Sequence, residues 1–376
     1  MDDPIDNPQS AIRNQGQGTA LASCQRIAIV RLSALGDVVN TLPALTALRR
    51  ALPHAHIAWV VETAAAGVLA GHPMLDDVMV VDRKGWSASL RRLRGVKAAA
   101  GEMGSVFRRL RQGKFDAAID FQGNFRSGVV TFLTRASVRA GLGRSDGKEL
   151  NHIFTNHHVP MPHGPLHRVE RGLRLLDGLG IDTANAAPVV PASDADRERV
   201  DAVLGEMGLT PGQFAIIHAG TSAFGRYKQW PNARWAAVAA RLHTELGLPV
   251  VLTRGPGASE AEEAEAIAHD SPARVAPVLS LTALGELFRR SRLFLSPDTG
   301  PMHLASAAGA PVVALFGPKD PKLYGPYFGP RAIVEKDMPC RPCRKRSCPD
   351  PQCMLTITPD EVLAAARQLL ADTSAT

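Results

Sequence analysis

The chain has 376 residues, 45% hydrophobic and 21% charged, with 43 Lys and Arg against 36 Asp and Glu. That composition is globular and the length suits two domains. No run of about 18 apolar residues occurs, and the acidic, proline-broken start Met1–Pro8 lacks the regions of a signal peptide, so a cytoplasmic protein is expected. The net charge of +7 points to acidic partners, while aromatics at 5%, not interleaved with the basic residues, argue against nucleic acid.

Residues 1–23 read as a disordered lead-in. Strand Arg26–Leu32 then leads into helix Asp37–Leu52, strand Ile57–Glu62, a short helix near Ala64–Ala70 and strand Val78–Val81. From Arg83 to Lys114 ten Lys and Arg face a single acid, Glu102, on helical material spanning Trp86–Gln112. Such a face suits an anionic membrane surface or acidic sugars, or is simply solvated. Strand Phe115–Phe121, helix Arg126–Thr134, strand Val138–Leu142 and helix Arg168–Leu179 follow, and the Ala/Pro-rich stretch Ile181–Ser193 reads as a linker. Asp194-Ala-Asp196 opens the next helix, where capping explains both acids. The pattern restarts with strand Phe214–His218, helix Asn232–Leu246, strand Val250–Thr253, helix Ser259–His269, strand Val275–Leu279 and helix Leu284–Arg290. Strand Leu293–Leu295, helix Met302–Ala308, strand Val312–Phe316 and a last helix, Pro359–Ala371, complete it. Alternating strands and helices on either side of a linker predict an α/β protein with two doubly wound, Rossmann-like domains facing across a cleft, 24–185 and 194–376.

The residues that carry chemistry sit where strands end. Ser296-Pro-Asp298-Thr299-Gly300-Pro-Met-His303 reads as a strand turning at once into a helix. A helix start with unpaired N–H groups and a positive dipole end binds phosphate, which points to a nucleotide, although Asp298 could merely cap the helix. After the first strand, Leu35-Gly36-Asp37 places an acid at the cleft edge, as a general base or as a first-turn acid facing the dipole. The loop His218-Ala-Gly-Thr221-Ser222 and the following Lys228 offer hydroxyls, N–H groups and a point charge to a diphosphate, without the Gly-Lys-Ser/Thr of a Walker loop. Glu260, after Gly255-Pro-Gly257, either meets a ribose hydroxyl or occupies a favourable first turn. Cys340, Cys343, Cys348 and Cys353 are close in sequence, but their spacing fits paired zinc ligands poorly. Reduced thiols and no metal are expected.

Five segments together, RLSALGDVVNTLPALTALRRALPHAHIAWVVE, FDAAIDFQGNFRSG, HRVERGLRLLDGLGI, HAGTSAFGRYKQWP and SPDTGPMHLASAAGAPVVALFGPKDP, resemble the lipopolysaccharide heptosyltransferases. The first two are most like heptosyltransferase I, and the cysteine-rich tail is more like heptosyltransferase II. The resemblance runs from about Arg26 to the final helix. It implies a GT-B fold and an inverting, metal-independent transfer of heptose from ADP-heptose to a Kdo or heptose residue linked to lipid A, with no cofactor. Asp37 would be the catalytic base. Lys228, Thr221 and Ser222 would hold the diphosphate. Asp298, Thr299, Gly300 and His303 would hold donor sugar and phosphate, and Glu260 the ribose. The acceptor would lie on the N-terminal domain, with Arg91, Arg92, Arg94, Asn124 and Arg126 as its contacts, and the protein would sit peripherally on the inner leaflet. A nucleotide-sugar epimerase of the same architecture and a non-catalytic nucleotide-sugar-binding protein are the competing readings.

Overall fold

The computed structural model describes residues 20–82, 96–221, 223–343 and 347–374. Its frame is two six-stranded sheets. The first contains β1 (Arg26–Val30), β2 (His56–Glu62), β3 (Asp77–Val81), β4 (Ala117–Asp120), β5 (Val138–Leu142) and β6 (His157–Val159). The second contains β7 (Ala215–Ile217), β8 (Val250–Leu252), β9 (Arg274–Val275), β10 (Leu293–Pro297), β11 (Val312–Phe316) and β12 (Arg331–Glu335). The orders are β3-β2-β1-β4-β5-β6 and β12-β11-β10-β7-β8-β9. Every pairing is parallel, from Ala28 opposite Ala58 and Ala118 to Leu295 opposite Ile217 and Val313. Both halves therefore share one doubly wound topology, whose order reverses between β1 and β4 and again between β7 and β10.

The central strands are short apolar runs because helices cover both sheet faces. Phe294, Val312 and Val313 are wholly buried, as are Ile27, Ile29 and Val30. One continuous apolar cluster joins the halves, from Leu45 and Trp59 through Val190 to Leu287, Phe294 and Met302. The stretch read as a linker is strapped along that seam. Thr46 Oγ1 donates to the Ala187 carbonyl at 2.7 Å, His72 Nε2 meets the Val189 carbonyl at 3.0 Å, and Arg289 donates to the Val190 carbonyl at 3.1 Å.

Three expectations change in detail. The helix expected over Asp37–Leu52 is two helices, Leu35–Val39 and Leu42–Ala51. Pro43 has no N–H to continue the first ladder and sits instead in the first turn of the second. The strand expected over Val275–Leu279 shrinks to β9, because Pro277 cannot donate to a ladder. The edge strands β6 and β12 escape a hydrophobic reading, since His157-His158-Val159 is mostly polar and Arg331–Glu335 is half-exposed. Asp196 closes a capping box with Ser193, as expected.

Candidate active site

In a doubly wound sheet, ligands bind beyond the carboxyl ends of the strands at the point of reversal. Asp37, Lys228, Asp298 and His303, all singled out in the sequence, come together there across the seam between the halves.

On the first half, β1 runs on through Arg31 and Leu32 into the Leu35–Val39 helix, whose third residue is Asp37. Gln122, just past β4, accepts the Leu32 and Ser33 amides at 2.8 and 3.2 Å and so fixes the approach to that helix. Arg31 is the anchor. It is buried, donates one arm to the Phe121 carbonyl at 2.6 Å, and holds Asp37 Oδ1 with the other at 2.6 Å. The Asp37 side chain keeps 35% of its surface. Burial pushes its pKa upward, but Arg31, Arg168, the Ala34 amide and His303 outweigh that and hold it below the ordinary carboxylate value. Asp37 is thus ionised at neutral pH, oriented by a rigid fork and open to the cleft.

On the second half, β10 ends at Pro297 and the Gly300–Ala307 helix begins almost at once, with Thr299 as its extended N-cap residue. The Thr299 hydroxyl is 2.9 Å from Ser296 Oγ and makes no cap bond to the helix, so the first amides stay unclaimed by that side chain. Lys228 closes the facing loop. Its Nζ lies 2.6 Å from Asp298 Oδ2 and 3.3 Å from the Asp298 carbonyl. Thr221 is buried with its hydroxyl unpartnered. Glu260 is in the first turn of the Ala258–His269 helix, accepts the Gly255 amide at 2.6 Å, and lies 4.0 Å from His218 Nε2. A Cβ on Gly220 or Gly255 would press on this carboxylate at 3.0 or 2.8 Å. Burial holds His218 at about 4, so it is neutral here.

The two short helices touch. A Cβ on Gly36 would lie 2.4 Å from His303 Cδ2, and one on Gly300 would lie 3.0 Å from Leu35 Cδ2. The missing side chain of Gly300 thus makes room for the opposite half of the protein. His303 is buried in this contact with Nδ1 unpartnered. Burial lowers its pKa against the pull of Asp298 and Asp37, with Lys228 adding to the lowering. A neutral imidazole with a free polar atom therefore sits between the carboxylate of one half and the Lys–Asp pair of the other.

Three further residues complete the seam without having been singled out. His167 Nε2 reaches the Gly325 carbonyl at 3.1 Å and its ring stacks on Tyr327 at 4.7 Å. Arg168 donates to the Tyr324 hydroxyl at 2.9 Å and lies over that ring at 4.9 Å. Arg171 donates to the Asp146 carbonyl at 2.5 Å. Burial, then the neighbouring Arg168, act to lower its pKa, with Arg31 adding a smaller push the same way. Among the described residues neither Arg168 nor Arg171 has a carboxylate partner in an ion pair. The only available signal was two arginines three apart, on one face of the helix in the HRVER segment.

Of the expected acceptor contacts, Asn124 caps the Phe125–Leu133 helix through Oδ1 to the Ser127 amide at 3.1 Å, and Arg126 pairs with Glu62 at 3.3 Å. Ser222, Arg91, Arg92 and Arg94 lie outside the described residues, as do residues 1–19 of the expected lead-in. Cys340, Cys343, Cys348 and Cys353 are free thiols. Among the described residues no three His, Cys, Asp or Glu side chains gather as metal ligands, and no helix is long and apolar enough to cross a membrane.

The site can deprotonate a hydroxyl on one wall and stabilise a departing anion on the other. A family model described as glycosyltransferase family 9 (heptosyltransferase) matches residues 103–354. Lipopolysaccharide heptosyltransferase 1 of Pseudomonas aeruginosa is 33% identical over 325 residues, 86% of this chain and 87% of its own. The crystal structure of a family 9 glycosyl transferase from Veillonella parvula matches with a TM-score of 0.77 and 26% identity, over 93% of this chain and 98% of that one. The E. coli heptosyltransferase WaaC, solved with ADP, matches with a TM-score of 0.72 and 25% identity, over 92% of this chain and 99% of that one. With two Rossmann-like sheets in the GT-B arrangement and a matched segment covering most of its length, this chain belongs to glycosyltransferase family 9, the heptosyltransferases.

Proposed function

We propose that the chain transfers heptose from ADP-heptose to the lipid A-linked inner core of lipopolysaccharide, with inversion at the anomeric carbon and without a metal ion. The observation that carries this reading is the placement of Asp37 across the seam from Lys228, Asp298 and the start of the Gly300–Ala307 helix. Residues 194–376 take the donor. Lys228, Thr221, Ser222 and the helix N–H groups receive the diphosphate, with Glu260 toward the ribose and Asp298, Thr299, Gly300 and His303 toward sugar and phosphate. Residues 24–185 take the acceptor, with Asn124 and Arg126 at the mouth and Arg91, Arg92 and Arg94 on the basic stretch. Arg168 and Arg171, lacking carboxylate partners, are suited to the acceptor's own acidic groups.

In the reaction the acceptor hydroxyl gives its proton to Asp37 as its oxygen bonds to the anomeric carbon. The bond from that carbon to the diphosphate oxygen breaks, and its electron pair leaves with ADP. Positive charge and N–H dipoles already aimed at the leaving group stabilise it without reorganisation, and a base on the opposite face gives inversion. Lys228 must exchange Asp298 for phosphate when the donor arrives. The lipid-linked acceptor places the enzyme on the inner leaflet of the inner membrane.

The test is incubation of ADP-heptose with Kdo-lipid A and, separately, with heptosylated core, read by mass spectrometry. One heptose added to either acceptor supports the proposal and identifies the acceptor. No addition to either would overturn it. Conversion of donor alone would favour the epimerase, a reading that the matches to heptosyltransferases do not favour.

A further inference from the structure

Six large apolar side chains are exposed among the described residues, and four of them, Phe125, Phe132, Leu150 and Ile153, belong to one face of the first half. Phe125 and Phe132 lie two helical turns apart on the Phe125–Leu133 helix. Both pack edge-on against Phe154, at 5.3 and 6.2 Å between centroids. Leu150 precedes the turn Asn151–Ile153, Ile153 is its last residue, and Phe154 closes it. Single exposed apolar residues need no explanation, but a contiguous group does.

The backbone holds Leu150 out against its own preference. Glu149 and Leu150 have φ of 54° and 58°, left-handed values that a leucine side chain disfavours, and Leu150 is 64% exposed. The turn is held from several sides. The Lys148 amide bonds the Gly123 carbonyl at 2.8 Å, and Asn151 Nδ2 bonds buried Asp120 at 2.7 Å and the Asn124 carbonyl at 2.8 Å. Nothing in that network needs the Leu150 side chain.

The surroundings are cationic. Between Phe125 and His158 there are five basic residues, Arg126, Arg135, Arg139, Arg144 and Lys148, against Asp146 and Glu149. Arg135, Arg144 and Lys148 are exposed, exposed Arg126 is paired with Glu62 at 3.3 Å, and the Arg139 guanidinium lies over the Phe132 ring at 5.6 Å. Apolar tips within a basic rim match the boundary of an anionic bilayer, where side chains enter the interface and cations meet phosphate. A second copy docked face to face would bring two such rims together, so like charges oppose that occupant.

We infer that the face formed by Phe125, Phe132, Leu150 and Ile153, with its basic rim, is the surface on which this enzyme lies on an anionic bilayer. It is continuous with the site, since the same helix begins three residues after Gln122, which holds the loop leading to Asp37. An enzyme resting there has its cleft mouth beside the membrane. The inference deepens the proposed function and rests on its lipid-linked acceptor.

The experiment uses the full chain and vesicles of phosphatidylethanolamine with phosphatidylglycerol, read by sedimentation. The paired substitution Leu150→Ser with Ile153→Ser should weaken partitioning by about tenfold or more. Leu150→Gly should keep the melting temperature, because glycine suits a positive φ, and still weaken partitioning. Both variants should lose turnover on Kdo-lipid A in vesicles and keep it on the deacylated, water-soluble acceptor. Native-like partitioning by both variants overturns the inference while leaving the transfer reading intact. A native dimer that the variants convert to monomer, with partitioning unchanged, also overturns it and makes the face a contact between copies. Partitioning lost in the variants, with no transfer by the native enzyme to either acceptor, supports the surface and defeats the transfer reading.

Discussion

Each half carries one carboxylate–cation pair at its point of strand reversal, and both measure 2.6 Å, yet they are built differently. Arg31 is a planar fork pinned by the Phe121 carbonyl, so its hold on Asp37 is part of the scaffold. Lys228 is a single ammonium at the end of a short irregular helix, and its partners are both on Asp298. In the proposed reaction the first pair would fix the direction and charge of the base, and the second would hold a cation and an anion together until the donor's diphosphate arrives. The same two charges would then serve as a permanent orientation on one wall and an exchangeable contact on the other, and the distances alone do not distinguish them.

Asp37→Asn gives the largest expected effect. The amide keeps size and shape but cannot take a proton, so kcat should fall on the order of 10²–10⁴. ADP binding by calorimetry should be unchanged, because the donor wall is untouched. Turnover near the native value would remove Asp37 from the mechanism.

The exchangeable pair should respond in opposite directions to its two halves. Lys228→Ala should weaken ADP binding by about ten- to a hundredfold and adenosine binding little, since only ADP carries the diphosphate. Asp298→Asn, which frees Lys228, should tighten ADP binding several-fold while lowering turnover of ADP-heptose. Equal losses of ADP and adenosine in the lysine variant would show that it acts through folding.

This contrast was only half legible in the sequence. The buried central strands announce themselves as apolar runs, and Asp37, Lys228 and Asp298 were readable because they follow strand ends. Partnership was not readable. Nothing local says that Arg31, six residues before Asp37, turns back to hold it, or that Lys228 and Asp298, seventy residues apart, meet. Gly36 and Gly300 were visible as glycines, but each makes room for the opposite half, a fact of docking. The contact of Arg168 with Tyr324 of the second half was likewise not readable, nor was the bond of Arg171 to the Asp146 carbonyl. The exposed Leu150 is invisible to any pattern, because it stands out by backbone conformation.

Arg31→Met tests permanence on the first wall. Methionine keeps the apolar stem and removes the charge that favours the Asp37 carboxylate, leaving burial to raise its pKa. The acid limb of kcat/KM should therefore move to higher pH, with ADP affinity unchanged. An unmoved acid limb, with turnover lowered at every pH, would make Arg31 a structural support only.

The smallest effect concerns the seam that brings the two walls together. Two buried histidines, His167 on the seam and His218 in the second half, are both held at about 4 by burial. The Val169 amide can only donate and the Gly325 carbonyl can only accept, so His167 must be neutral, with Nδ1 accepting at 3.1 Å and Nε2 donating at 3.1 Å. Protonation would put a hydrogen on Nδ1 and break the cap. In the unfolded chain each histidine gains a proton as pH falls through about 6.5, while the folded state resists until about 4. The unfolded state binds more protons across that window, so stability is full above it and falls as pH drops. Between pH 7 and 6 the loss should be about 1 kcal/mol or less per histidine, visible as a small drop in Tm. His167→Asn can still cap Val169 through an amide oxygen and does not titrate, so it should flatten part of that dependence and leave the His218 share. A native-like pH slope in this variant would mean that the seam is held by the contacts of Arg168 with Tyr324 and of Gly36 with His303, and that His167 contributes nothing that protonation can remove.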